Sequence, residues 1–243
     1  MNQINWFQTI IDVAQAIISG VFVGLVIFWL DERRAKRERR LSDFRIASNW
    51  FRTEPKVSLR NFDLSKTNLS GHKFIKANLE DAIISDSGLW ATNFSEANLR
   101  HADFRKSKLV GARFEKATAF HANFSWATIM SRSDPDYEYL PDFTNAKLGG
   151  SKFIGTRLNG VAMINTDLRG TDFSKAVVLG CNFTGADFTN SNWKKVKRVE
   201  TCIWKDVKVD NSSNFPAKLW EEIQKQNVKP ARKQKLTLKQ KGS

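Results

Sequence analysis

Few residues in this chain have the type and spacing that catalysis or metal binding needs. The sequence has three histidines, and two of them, His101 and His121, are 20 positions apart. Two histidines are too few ligands for a closed metal site. No glycine-rich phosphate loop follows a strand, and the Asp and Glu residues recur with a regular repeat instead of forming an acid–base pair. We therefore expect no enzymatic activity, no metal and no cofactor.

The two cysteines indicate buried filler more than a disulfide. We expect Cys181 to fill a small inward position and Cys202 to lie at an outward corner. A core built from so many apolar residues would need no cross-link.

Apolar residues recur at every fifth position from Leu59 to Ile203. A period of five produces neither a helical stripe nor one face of a strand. It indicates a solenoid, in which each repeat stacks on its neighbours because it cannot bury its apolar face alone. The residue two before each apolar centre is mostly small, so both should point inward. In the last part of the run, the predicted centres are Arg198, which breaks the pattern, and Ile203.

Several segments of the run also share a short motif, seen in Ala97-Asn98-Leu99, Ala102-Asp103-Phe104 and Ala122-Asn123-Phe124. These segments resemble the A(D/N)LXX motif of the pentapeptide-repeat family. The resemblance implies an all-β fold, a right-handed quadrilateral parallel β-helix with four repeats per coil, over residues 57–208. Some members of that family resemble DNA and bind gyrase through an acidic surface.

Four repeats per coil predict a second period of 20 residues. Two inward columns fit this period: Phe74, Phe94 and Phe114, and then Phe153, Phe173 and Trp193. On the outside, Lys76, Glu96 and Lys116 are also 20 apart and alternate in sign, as stacked charges on neighbouring strands should.

The repeat is interrupted at residues 130–141. The 14 positions from Ile129 to Phe143 fit three repeats with one residue missing, or one repeat with nine residues inserted. We prefer the first interpretation, because it continues the Phe114 column into Phe153.

The N-terminal segment from Ile10 to Leu30 is apolar enough to predict a transmembrane helix, although Asp12 and Gln15 also fit a buried soluble helix. Gly20 and Gly24 form a G-x-x-x-G motif that would let two copies pack as a homodimer. Six basic residues follow the span, and they predict a single-pass inner-membrane protein with its solenoid in the cytoplasm: Arg33, Arg34, Lys36, Arg37, Arg39 and Arg40. Residues 1–40 would form this anchor and 41–56 a linker that caps the first coil.

The C-terminal region predicts a cap and a tail. Phe215, Leu219, Trp220 and Ile223 fall on one helical face, so residues 209–228 should include a short capping helix over the last coil. Residues 229–243 are Lys-rich and predict a basic disordered tail.

One set of exposed apolar and aromatic residues predicts a partner surface: Trp90, Val110, Trp126, Met130, Tyr137 and Tyr139. A covering linker or loop would explain the same residues without a partner. We expect a non-catalytic, membrane-anchored scaffold that binds another protein. The alternative is a DNA- or topoisomerase-related role using the basic tail; the net charge of +14 has the wrong sign for DNA mimicry, and we do not expect nucleic acid as the main partner.

Overall fold

The computed structural model describes residues 6–52, 56–133, 138–210 and 212–227. In the first helix, side chains are described for Gln15 and from residue 21 onward. Elsewhere, the backbone of Glu138 is described but its side chain is not. The predicted basic tail therefore lies outside the described residues, as does Tyr137 of the predicted partner surface.

The backbone of the repeat region winds into a four-sided parallel solenoid. Residues 20 positions apart form parallel bridges, as between Asn78 and Asn98 and between Asn98 and Thr118. Because the repeat is five residues long, a spacing of 20 means that four repeats complete one coil.

Bridges lengthen into strands on one side of the solenoid. Strands β1 (Thr128–Met130), β4 (Arg157–Asn159), β5 (Val177–Leu179) and β6 (Arg198–Glu200) form a parallel sheet in the order β1-β4-β5-β6. Between β1 and β4 the chain makes a short antiparallel pair, β2 (Arg132–Ser133) and β3 (Glu138–Tyr139).

Aromatic rings stack along the inside of the solenoid in columns, as predicted. The ring centroids of Phe74 and Phe94 are 5.5 Å apart, and those of Phe94 and Phe114 are 5.0 Å apart. The second predicted column stacks at 4.9 Å between Phe153 and Phe173 and at 4.3 Å between Phe173 and Trp193. All of these side chains are fully buried, so the five-residue period does mark the core.

The preferred interpretation of the interruption is wrong. Phe114 stacks on Phe143 at 4.4 Å, and Ile129 pairs with Leu158. Both partners are 29 positions apart, which is one coil of 20 plus nine residues. Phe153 consequently stacks on Phe124, at 5.0 Å. Nine residues are therefore inserted at one corner, and they form the β2–β3 hairpin while the core columns continue.

A second shift follows Trp193, where the chain contains one extra residue. Val199 pairs with Val178, and Trp204 stacks on Phe183 at 4.7 Å. Arg198 and Ile203, the predicted centres, are therefore exposed. The same shift turns Cys202 inward, so its predicted outward position is also wrong.

Buried hydroxyl side chains are tolerated in the core because backbone carbonyl oxygens of the neighbouring coil accept their hydrogen bonds. Ser87, Thr92 and Ser107 donate to the carbonyl oxygens of Leu64, Leu69 and Ile84 in the preceding coil, at 2.9, 2.9 and 2.6 Å. Outside, the predicted corner bonds are present: the carboxylate of Asp103 accepts from the Arg105 backbone N–H at 3.0 Å.

A single helix, α1 (Trp6–Asn49), continues through most of the stretch predicted as a linker and ends in a 3-10 turn, Trp50–Arg52. Its C-terminal end covers the first coil. Ala47 and Trp50 are buried, the Trp50 ring lies 6.3 Å from Phe74, and its indole N–H donates to the Val57 carbonyl at 2.6 Å.

The predicted transmembrane helix is not supported. Within the described residues, no helix is both long enough and apolar enough to cross a membrane. The burial of Ile10 and Gly20 lies outside what the structure describes. Gly24 and Leu30 are exposed, and nothing lies within 4 Å of a Cβ placed on Gly24.

Helix α2 (Ala217–Asn227) covers the last coil, with Leu219 and Ile223 buried beneath it. Its polar side chains pair with the open edge of that coil. The side-chain oxygen of Gln226 accepts from the Trp204 backbone N–H at 2.9 Å, and the Asn227 amide donates to the Trp204 carbonyl at 2.7 Å. An edge that could otherwise pair with another strand is thus closed.

Candidate functional site

A groove lies along one corner of the solenoid, where three successive coils place apolar residues one above another. Trp90, Val110 and Met130 occupy equivalent positions, as the 20-residue period predicts. The backbone holds them in register: the Ala91 N–H donates to the Val110 carbonyl at 2.9 Å, and the Gly111 N–H donates to the Met130 carbonyl at 3.1 Å. Trp90 is 41% exposed, while Val110 and Met130 are half-buried.

The β2–β3 hairpin forms one wall of this groove. Tyr139 packs against the Trp90 ring edge to face, with centroids 5.4 Å apart. It can approach closely because Gly111 has no side chain; a Cβ there would lie 2.6 Å from the Tyr139 Cβ. Across the hairpin, Arg132 pairs with Tyr139, and its guanidinium lies 5.6 Å from the Trp90 ring centroid. The interruption thus covers part of the predicted stripe and shapes the rest.

The groove has a volume of about 500 Å³ and a cationic rim. Lys108 and Arg132 contribute the charges, and none of the described lining residues is acidic. The position equivalent to Lys108 one coil earlier is Gly88, which leaves the hollow open. Sequence reasoning missed both basic residues, although Lys108 is two positions before Val110 and Arg132 two positions after Met130.

Trp126 does not join this group. It lies at the corner before β1, whereas Met130 is the last residue of β1. Its ring packs on the backbone of Gly155, one coil away, where a Cβ would lie 2.5 Å from two ring carbons. Half of the Trp126 surface is exposed. The structure therefore brings together Trp90, Val110, Met130 and Tyr139 and places Trp126 on a different edge.

The predicted topology cluster lies on the free part of α1, where Arg33, Arg34, Lys36 and Arg37 are exposed. The Arg33 guanidinium lies over the Trp29 ring at 3.7 Å, and Lys36 pairs with Glu32 at 2.6 Å. Nearer the solenoid, exposed Arg39 contacts the Asn61 carbonyl at 3.5 Å, and Arg40 is half-buried.

Among the described residues, no three His, Cys, Asp or Glu side chains come close enough together to hold a metal ion. The rings of His101 and His121 stack at 5.4 Å on an outer corner, as their spacing predicts. Cys181 and Cys202 are buried free thiols that face each other. The hydrogen bond between the thiols, together with burial, raises the pKa of Cys181 well above its ordinary value, so it stays protonated at neutral pH.

Another charged feature, at the corner of Asp167, is explained by local structure. The Arg169 guanidinium donates to the Asp167 carboxylate at 2.9 and 2.8 Å. This bond lowers the pKa of Asp167 and raises that of Arg169. The Asp167 carboxylate therefore stays ionised and paired with Arg169, and it is not suited to proton transfer.

With the fold and the groove defined, the chain can be placed in a family. The model of the pentapeptide repeats matches in eight copies, over residues 56–90, 97–130 and 142–178. The chain therefore belongs to the pentapeptide-repeat family, whose solenoid is a right-handed β-helix.

Several solved structures are similar to this chain. A trypsin-treated single-site variant of QnrB1, a plasmid-mediated fluoroquinolone resistance protein, is 22% identical over 70% of this chain and 86% of its own, with a TM-score of 0.47. HetL from Nostoc sp. strain PCC 7120 is 22% identical over 62% and 82%, with a TM-score of 0.19. Rfr23 from Cyanothece 51142 is 16% identical over 69% and 97%, with a TM-score of 0.28. No curated protein matches the sequence.

The contact between Trp126 and Gly155 yields a stability prediction. Gly155 has a φ of +66°, and Gly71 has a φ of +73° with nothing within 4 Å of a Cβ. Alanine at either position would have to adopt a left-handed backbone conformation, which costs about 1 kcal/mol in both cases. Only Gly155→Ala also displaces the Trp126 ring, so it should lower the free energy of unfolding more than Gly71→Ala does.

Urea denaturation of both variants measures this difference, and the double variant Gly155→Ala/Trp126→Ala provides the matched control. The double variant should lose the excess, so that Trp126→Ala destabilises less in the Gly155→Ala background than in the wild type. Equal destabilisation by Gly155→Ala and Gly71→Ala would show that the ring does not rest on Gly155.

Proposed function

We propose that this protein is a non-catalytic scaffold that binds another protein in the groove of Trp90, Val110 and Met130. The groove carries the proposal, because a half-exposed tryptophan sits in a hollow on an otherwise regular surface. Tryptophan is enriched among residues that dominate binding energy at interfaces. Two ionisable groups described above do not compete with this proposal, since the Asp167 carboxylate is paired with Arg169 and the buried Cys181 thiol stays protonated.

The groove also suggests the chemistry of its partner. An aliphatic or aromatic side chain of the partner would fill the hollow beside Trp90, and a carboxylate next to it would pair with Lys108 or Arg132. The hairpin residue Tyr139 would form the opposite wall. An acidic segment with one apolar anchor therefore fits this surface.

A photoreactive amino acid at position 110 would test this docking site in cells. The full-length chain should give a crosslinked species of defined mass from position 110 and none from position 83. Ile83 is the control because it is more exposed than Val110, at 42%, but belongs to another side of the solenoid.

The change Trp90→Asp should remove the crosslink from position 110, while Ile83→Asp should leave it unchanged. The Trp90→Asp change should weaken binding at least tenfold, since it removes the aromatic ring and places a carboxylate where it competes with the partner's own acid for Lys108 and Arg132. A crosslink that persists in Trp90→Asp, or equal crosslinking from position 83, would contradict the groove as the binding site.

We further propose that α1 holds the protein at the cytoplasmic face of a membrane. Nine apolar residues among residues 21–30 are exposed by 38–68%, including Phe22 and Phe28. Consecutive residues on a helix point in all directions, so this segment is apolar all round and needs cover from lipid or protein. The basic residues between Arg33 and Arg40 follow it directly, where they would meet anionic headgroups on the cytoplasmic side.

Membrane fractionation at physiological ionic strength tests this attachment. The wild type should stay in the membrane fraction, and the double variant Leu25→Arg/Phe28→Arg should move to the soluble fraction, since each arginine costs about 2.5–3.5 kcal/mol in an apolar membrane environment. The control Leu41→Arg/Ile46→Arg changes two exposed apolar residues beyond the basic cluster and should remain with membranes. Wild type in the soluble fraction, or all three proteins alike, would contradict the proposal.

A further inference from the structure

From Lys106 to Lys197, a second exposed edge of the solenoid carries only positive charge. Seven basic residues lie on this edge in four of five successive coils, the coil of Trp126 contributing none, and we call them the basic ridge: Lys106, Lys108, Arg157, Lys175, Lys194, Lys195 and Lys197. All seven are exposed, and none forms an ion pair with a described residue. Lys106, Trp126, Gly155 and Lys175 occupy one column, as the pairing of Lys108 with Thr128 and the register of β1, β4 and β5 require. In the next coil, the Lys195 carbonyl accepts a hydrogen bond from the Lys175 backbone N–H at 3.1 Å.

Other edges of the same solenoid neutralise their stacked charges. Lys76 pairs with Glu96 in the next coil at 3.6 Å, and Arg60 pairs with Glu80 at 3.6 Å. Stacked like charges a few ångströms apart repel each other even in water. The basic ridge is bounded by acids, since Asp86 lies one coil before Lys106 and Arg198, just after Lys197, pairs with Glu200 at 2.6 Å. Between these ends no acid lies among the seven basic residues, so the repulsion among the lysines of the last two coils stays uncompensated within the described chain, and a bound polyanion would relieve it.

The ridge has the dimensions of an extended strand of phosphates. Four coil-to-coil steps separate Lys106 from Lys195, about 19 Å at 4.8 Å per step. The charges run along a convex edge in a narrow line, where a flexible backbone can follow them. A flat bilayer would instead favour charges spread over a whole side.

Trp126 lies on this line one coil after Lys106, and its setting suggests base stacking. The ring is packed on the Gly155 backbone and half of its surface is exposed. Held against the rod, it cannot extend as a wedge into lipid, but it offers a rigid aromatic surface. Lysines combined with an aromatic platform are the elements by which proteins bind single-stranded nucleic acid without sequence preference.

We propose that the basic ridge is a binding site for single-stranded nucleic acid, with the lysines on the phosphates and Trp126 stacked on a base. This site is separate from the Trp90 groove, although Lys108 lies near both. It also differs from the expectation that the C-terminal tail would make any nucleic-acid contact.

Fluorescence anisotropy with a fluorescein-labelled 20-mer of thymidylate tests the site on the full-length chain in nonionic detergent. Removing three ridge charges by Lys106→Gln/Lys175→Gln/Lys195→Gln should weaken binding about 100-fold at 0.1 M salt and reduce the slope of log K against log salt by about 2. Trp126→Ala should weaken binding about tenfold.

The control Lys147→Gln/Lys205→Gln/Lys208→Gln removes three exposed lysines from other sides and should bind within threefold of the wild type. If the ridge and control variants lost the same oligonucleotide affinity, binding would depend only on net charge, and the proposal would be wrong. If Trp126→Ala bound the oligonucleotide as tightly as the wild type, the proposed stacking of a base on Trp126 would be wrong.

Vesicles containing phosphatidylglycerol provide the second arm. If the ridge variant binds the oligonucleotide like wild type but loses vesicle binding relative to the control variant, the ridge is a membrane contact and the proposal is wrong. Oligonucleotide binding that depends on the ridge, with equal vesicle binding by both triple variants, supports it.

Discussion

Contact between an inward side chain and its equivalent one coil away is the interaction on which this structure depends. Each repeat supplies one large and one small inward residue, and neither is buried until the next coil covers it. The stacked phenylalanines show this directly, with centroid separations close to the rise of one coil. Because the stacking is translational, the outer residues must also fall into columns. The groove and the basic ridge are both consequences of this constraint.

The stacking tolerates additions at corners as long as the inward phase is restored. Nine residues leave the solenoid after β1, form the hairpin and return at Phe143 without disturbing the aromatic columns. The hairpin then folds over the corner where Trp90 and Val110 are exposed, and Gly111 gives it room. A groove on a regular rod thus arises from an insertion, a glycine and two stacked apolar residues.

The five-residue period made the solenoid and its core residues up to Trp193 predictable from the sequence, and the helical spacing of Leu219 and Ile223 did the same for the C-terminal cap. The interruption was ambiguous because 14 residues satisfy two countings, and the phenylalanines of neighbouring columns are chemically alike. The choice of counting determines which outer residues align: with one residue missing, Lys106 would align with Asn145, and the basic ridge would not be visible. After Trp193, the one-residue shift that places Trp204 in the core was missed because Ile203, at the predicted position, is also apolar.

Other features depend on contacts that no local pattern reveals. The packing of Trp126 on Gly155 requires the correct pairing of coils across the insertion, and the continuation of α1 to Asn49 depends on the docking of Ala47 and Trp50 beneath the first coil.

Deletions within the interruption test the stacking account most directly. Removing residues 132–140 joins Ser131 to Pro141 and places Phe143 one five-residue step after Ile129, so all inward columns remain in phase. This variant should unfold cooperatively in urea with a midpoint near that of the wild type. Removing residues 132–141 instead leaves a step of only four residues from Ile129 to Phe143. A missing residue cannot loop out as the extra residue after Trp193 does, so the coils on either side cannot both stay in register, and this deletion should abolish cooperative folding of the C-terminal half. Equal stability of the two deletions would contradict the account.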